Sequence, residues 1–161
     1  MNVALLCLMI WSGILIYWAN DIYIVIPNEF ARALNINQRL AEGMAWHFFI
    51  MWGFVLNGLV YLAYLVCSGD WRFSNYNKIQ KIAYTAVIIM AIWAVLSGLA
   101  IYKPVTLGWL TKILGGYEAA RFQHFLMMCG FVIFIPIHVI QVLRAGWNNF
   151  RSMVAGYEIE K

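Results

Sequence analysis

Four long stretches of hydrocarbon, residues 3–26, 46–66, 82–102 and 122–143, limit what this chain can fold into more than any other feature. A bilayer core takes about 20 residues of helix to cross. Inside it every backbone N–H and C=O must be paired within the chain, so each stretch predicts an α-helix. Hydrophobic residues make up 64% of the 161 and charged residues 11%, against about 25% charged in soluble domains, so water is not the main solvent. The remaining segments, 28–43, 67–81, 103–121 and a tail from Arg144, are too short to hold a separate domain. The expectation is one all-α domain over residues 1–161, an integral membrane four-helix bundle surrounded by lipid.

The net charge is +4, but its Lys and Arg residues are scattered through the connections and form no basic run. That pattern is ordinary for membrane interfaces and excludes a nucleic-acid role. Cys7, Cys67 and Cys129 form no CxxC pair and read as small buried apolar residues. Four-helix quinone-linked disulfide oxidases, which need cysteine pairs in exposed loops, are thereby excluded. The first apolar run lacks a basic leading segment and a small-residue cleavage site, so it reads as a span and not a signal peptide. It starts at once after Met1 and Asn2, and further residues are expected upstream. One side of the membrane would carry Arg72, Lys78, Lys81, Arg144, Arg151 and Lys161, the other Arg32, Arg39, Lys103, Lys112 and Arg121. This bias predicts cytoplasmic termini. Tyr17, Trp18, Trp46, Trp71, Tyr76, Tyr102, Trp109, Tyr117 and Trp147 fall at span ends, as interfacial belts do.

The second and fourth stretches contain no Asp, Glu, Lys or Arg; their strongly polar members are His47, Asn57, Gln123, His124, His138 and Gln141. A polar side chain in hydrocarbon is costly without a partner. A single histidine there is often explained by a hydrogen bond across helices, but the spacing of these three points further. His124 and His138 are 14 residues apart, which is about 21 Å of helical rise with a return to within about 40° of the same face. One imidazole near each membrane surface, both pointing into the bundle, is what two stacked hemes would require, a neutral ring nitrogen being a good iron ligand. His47 and His124 begin the second and fourth spans, so in an up-down bundle they enter from the same side. Gly53 and Gly130 each follow one of them by six residues, and Gly58 and Gly98 also interrupt spans. Such small residues suit a flat macrocycle or plain helix packing. Arg121 lies one turn before His124, where a cation suits heme propionates or snorkels to headgroups. Pro136 predicts a local bend.

These residues resemble the di-heme cytochrome b membrane subunits of nickel–iron hydrogenases, formate dehydrogenases and thiosulfate or other molybdopterin oxidoreductases. The likeness is strongest in YKPVTLGWLTKILGGYEAARFQHF from Tyr102, in the step to His138, and in HVIQVLRAGWNNFRSMVAGY that follows; YNKIQKIAY at Tyr76–Tyr84 adds to it. The resemblance implies that His47 and His124 ligate an outer heme b and His138 an inner one. It also implies that the other inner ligand is a histidine in a His-Trp-x-Asn context, with Met1 as x and Asn2 as the Asn; a thioether such as Met9, or no second ligand at all, is the alternative. Further implied are a bacterial inner-membrane location, electron transfer to or from quinone, and a partner oxidoreductase subunit of molybdopterin or iron–sulfur type, with no bond chemistry on this chain. Residues 103–118 and 144–156 are the candidate contact surfaces. A heme-free anchor and a histidine-based metal or proton transporter are the competing functions, and a reduced-minus-oxidised heme spectrum separates them from the first.

Overall fold

The computed structural model of the chain describes residues 3–19, 27–36, 39–69 and 78–144. The regular elements among them are helices: α1 Val3–Trp18, α2 Asn28–Ala33, α3 Leu40–Ser68, α4 Lys78–Tyr102, α5 Gly108–Ile113 and α6 Tyr117–Arg144. Leu40–Ser68, Lys81–Tyr102 and Tyr117–Gln141 are long and apolar enough to cross a membrane, in line with the three later stretches. The four-span expectation is narrowed at the first stretch. There α1 has 16 residues, which reach about 24 Å and stop short of a full crossing. Residues 20–26 lie outside the described residues, as do Met1 and Asn2, residues 70–77 and the tail from 145. With them go Trp71, Tyr76 and Trp147 of the interfacial belts, and Arg72, Arg151 and Lys161 of the orientation reading.

The chain divides into two compact units, Met1–Ala86 and Val87–Lys161. In the first, α1 packs against α3. A Cβ on Gly43 would lie 2.8 Å from Leu15 Cβ, and one on Gly53 would lie 3.6 Å from Leu5 Cδ2. As α3 advances α1 recedes, so the pair is antiparallel. Lipid tails are as apolar as leucine, so close approach over small residues, more than the hydrophobic effect, holds such helices together. The short α2 ends at Asn35, whose φ is 53°. There the N–H of Ile36 bonds Ala31 O at 3.1 Å and that of Asn35 bonds Arg32 O at 3.0 Å. This is a Schellman ending, and its apolar partners Ile36 and Ala31 are buried with Leu15.

The second unit repeats the plan. The connection before α6, expected as a loop, carries α5, which ends at Gly115 with φ 89°, a conformation that strains other residues. The N–H of Gly115 bonds Lys112 O at 3.1 Å and that of Gly116 bonds Thr111 O at 2.8 Å. Leu110 and Leu114 are buried with Ala100 of α4 and Ala120 of α6. Gln123, one of the polar residues needing explanation, is a clip: it accepts from the Trp93 indole at 3.1 Å and donates to Leu114 O at 2.7 Å. Pro136 lies inside α6, which continues to Arg144.

Outward faces are apolar. Phe49, Leu56 and Val60 line one stripe of α3 at 75%, 64% and 62% exposure, a surface suited to lipid and not to water. The cysteine expectation is corrected on the same ground. All three are free, but Cys7 and Cys67 are exposed and Cys129 is half-buried; a thiol is apolar enough to sit on a lipid-facing surface.

A methyl at position 43 would press on the Leu15 Cβ and, at 3.0 Å, on the Ile16 backbone nitrogen. Gly43→Ala is therefore expected to cost about 1–3 kcal/mol through overpacking. At Gly58 nothing lies within 4 Å of an added Cβ, so Gly58→Ala is expected to be neutral or to gain up to about 1 kcal/mol from reduced chain entropy. Unfolding in graded detergent mixtures, followed by circular dichroism, checks both.

Candidate functional site

His47 is the eighth residue of α3, seven after Leu40, and His124 is likewise seven after Tyr117 in α6. Each therefore lies about 10 Å along its helix from the start. Both rings are half-buried, and each meets a serine of the long helix that precedes it in its own unit.

In the first unit, His47 Nδ1 lies 2.9 Å from Ser12 Oγ, and the serine is 0% exposed. A buried hydroxyl must place its proton on an acceptor, and Ser12 places it on Met9 O at 3.0 Å. With its proton there its oxygen accepts from the ring, a pairing that puts the His47 proton on Nδ1. The lone pair lies on Nε2.

In the second unit, His124 Nδ1 lies 3.0 Å from Ala94 O and 3.1 Å from Ser97 Oγ. A carbonyl has no proton to give, so Nδ1 is the donor. Ser97, also 0% exposed, places its own proton on Trp93 O at 2.7 Å, a back-bond to the preceding turn. The tautomer is again Nδ1–H, with the lone pair on Nε2. Gly98 gives the ring its room: a Cβ there would lie 3.1 Å from His124 Cε1.

The chemistry of this donor set fits a metal-bound imidazole. Ligating histidines usually give their other N–H to a carbonyl or a similar acceptor, which fixes the tautomer and ring plane. His138, half-buried, stacks on Phe134 with centroids 5.3 Å apart and planes 18° apart. Arg121 is not directed at the histidines. It pairs with Glu118 at 3.1 Å and lies 5.7 Å over the Tyr117 ring; an exposed pair of that kind is worth less than about 1 kcal/mol and exchanges readily. Met9 contributes its carbonyl to Ser12, while the Met1–Asn2 position lies outside the described residues.

Sequence reasoning missed Ser12 and Ser97. The signal that could have found them is a short internal repeat: Ser12-Gly13-Ile14-Leu15-Ile16-Tyr17 and Ser97-Gly98-Leu99-Ala100-Ile101-Tyr102. Leu15 and Ala100, third after each serine, are both 0% exposed. Four residues before each histidine stands a small buried residue, Gly43 or Ala120.

Compared with known proteins, residues 1–156 match the model of a family described as prokaryotic cytochrome b561. A curated relative, the putative protein-methionine-sulfoxide reductase subunit YedZ1 of Azospira oryzae, is 33% identical over 163 residues, covering 84% of this chain and 80% of the relative. No solved structure matches.

A side chain at position 98 meets the His124 ring at once. Gly98→Val is expected to displace the ring from Ser97 and to lower stability by about 1–3 kcal/mol. Histidine ring 15N spectra, with Gly58→Val as the open-space comparison, read the displacement as a changed His124 Nδ1 shift.

Proposed function

The chain belongs to the prokaryotic cytochrome b561 family and is a membrane b-type cytochrome of electron transfer; from that premise we propose which residues hold the heme and between which partners electrons pass. His47 and His124 would hold one heme b through Nε2, and His138 would hold a second. The observation that carries this reading is the shared contact: both Nδ1 atoms meet a buried serine hydroxyl, at 2.9 and 3.1 Å, and with Nδ1 as donor Nε2 is the nitrogen with a lone pair for iron. Arg121 exchanges Glu118 for a heme propionate. Bound heme supplies one-electron exchange, and the chain's own part is to ligate, orient and insulate it.

The electrons run between membrane quinone and a partner oxidoreductase subunit of molybdopterin or iron–sulfur type, within one cytochrome domain over residues 1–161 whose termini face the cytoplasm of a bacterial inner membrane. The relative's description as a reductase subunit supports a partner enzyme. So does the 103–118 segment, where Val105, Trp109 and Ile113 are 93%, 62% and 73% exposed beside Lys103 and Lys112.

Purified protein is expected to show a reduced-minus-oxidised b-type spectrum. His47→Ala and His124→Ala are each expected to remove the same spectral component while helix content stays unchanged. Full heme retention in either variant overturns the ligand assignment, and loss of two different components overturns the pairing. His138→Ala is expected to remove a second, distinct component, as heme per chain measured by pyridine hemochrome assay before and after the substitution will read.

A further inference from the structure

The two serines do more than fill space, and what they do rests on the histidine ligation proposed above. We propose that Ser12 and Ser97 are positioning residues for the heme. Each hydroxyl has its proton tied to a carbonyl of its own helix and accepts the Nδ1–H of one ligating histidine. It thereby holds the ring plane and sets how strongly the imidazole donates, and at His47 it also selects which nitrogen meets iron.

The serine-to-ring contact occurs twice. Ser12 bonds Met9 O at 3.0 Å and meets His47 Nδ1 at 2.9 Å; Ser97 bonds Trp93 O at 2.7 Å and meets His124 Nδ1 at 3.1 Å. Both serines are 0% exposed, both precede a glycine, and both open the repeated Ser-Gly-x-x-Ile-Tyr segment. Chance burial of a small polar residue accounts for one such hydroxyl. Two that each bond a carbonyl of the preceding turn and meet the same ring atom, in the same local sequence, describe one device used in each unit.

The consequence follows from ligand basicity. An acceptor on Nδ1–H pulls the proton outward and makes Nε2 a better donor, which favours ferric over ferrous iron and lowers the reduction potential. A neutral hydroxyl does this less than a carboxylate would, and it avoids burying a charge in hydrocarbon. Removing the acceptor must therefore raise the potential of the heme. At His124 the Ala94 carbonyl stays 3.0 Å from Nδ1, so Ser97→Ala keeps the tautomer and weakens the donor.

The test uses the heme-loaded full chain in detergent, with Ser12→Ala, Ser97→Ala, and the Thr and Cys variants of each. Midpoint potentials come from redox titration, low-spin ferric signals from electron paramagnetic resonance, and heme retention from competition with apomyoglobin. The Ala variants are expected to shift the potential of the His47/His124 heme upward, to change its low-spin signal and to retain heme about 10–100-fold less tightly. Thr restores the hydroxyl and is expected to return the potential toward wild type; Cys fills the same volume with a poor acceptor and is expected to behave as Ala does. Unchanged potential and signal in both Ala variants overturn the inference and leave the ligand assignment standing. A shift in Ala with none in Cys also overturns it, because volume and not the acceptor is then responsible. Retention of heme in His47→Ala or His124→Ala is a separate failure, that of the ligand assignment itself.

Discussion

An imidazole inside a membrane has two nitrogens to satisfy and no water to do it with. That constraint organises this chain. One nitrogen must give its proton to something the protein supplies, and Ser12 and the Ser97–Ala94 pair supply it. Once Nδ1 is committed, Nε2 is left as the nitrogen with a lone pair, and the ring can bind iron without a proton in the way. The small residues around these contacts follow from the same need. Gly98 makes room for His124, and Gly43, one turn before His47, lets the helix carrying Ser12 come close. A bulkier residue at either place would move the acceptor away from the ring, and the Nδ1 contact depends on that distance.

Each unit solves the problem with the same parts. A long helix ends soon after its serine; a six-residue helix follows, closed by a left-handed residue at Asn35 or Gly115; then a second long helix begins and reaches its histidine after seven residues. The short helix is more than a connector. Its buried face, Ala31 in one unit and Leu110 in the other, packs on the residue three places after the serine, Leu15 or Ala100. The turn thereby sets where the second helix begins, and so the height at which its histidine meets the serine. In the second unit Gln123, next to His124, adds a direct tie to the end of α5 through Leu114 O.

Much of this was legible in the sequence, for physical reasons. Three spans stand out because an apolar run of more than about 20 residues has few structures open to it. His47, His124 and His138 stand out because polar groups are rare in such runs. Gly43, although it lets α1 approach α3 closely, drew no notice because it precedes the apolar run. The serines escaped because a hydroxyl hardly changes hydropathy, and because their partners lie 35 and 27 residues away along the chain. The α5 helix escaped for the opposite reason: six residues carry no periodicity to detect, and the Schellman ending that defines it depends on backbone angles. Cys7 and Cys67 were read as buried on a rule for proteins in water. In lipid the outward face is the apolar one.

The choice of hydroxyl over carboxylate as the acceptor is the last link between solvent and function. A carboxylate on Nδ1–H would hold the proton more firmly and make iron harder to reduce, but in hydrocarbon it would itself need a cation or several donors. Among the described residues, Arg121 and Glu118 form their pair at the start of α6, and Arg39 and Glu42 theirs at the start of α3, one to two turns before the histidine in each case. Charge is thus kept toward the helix ends, and the interior of each unit is left to neutral hydrogen bonds. A heme ligated from such an interior is tuned by neutral acceptors alone, so its potential sits above that of a carboxylate-backed site.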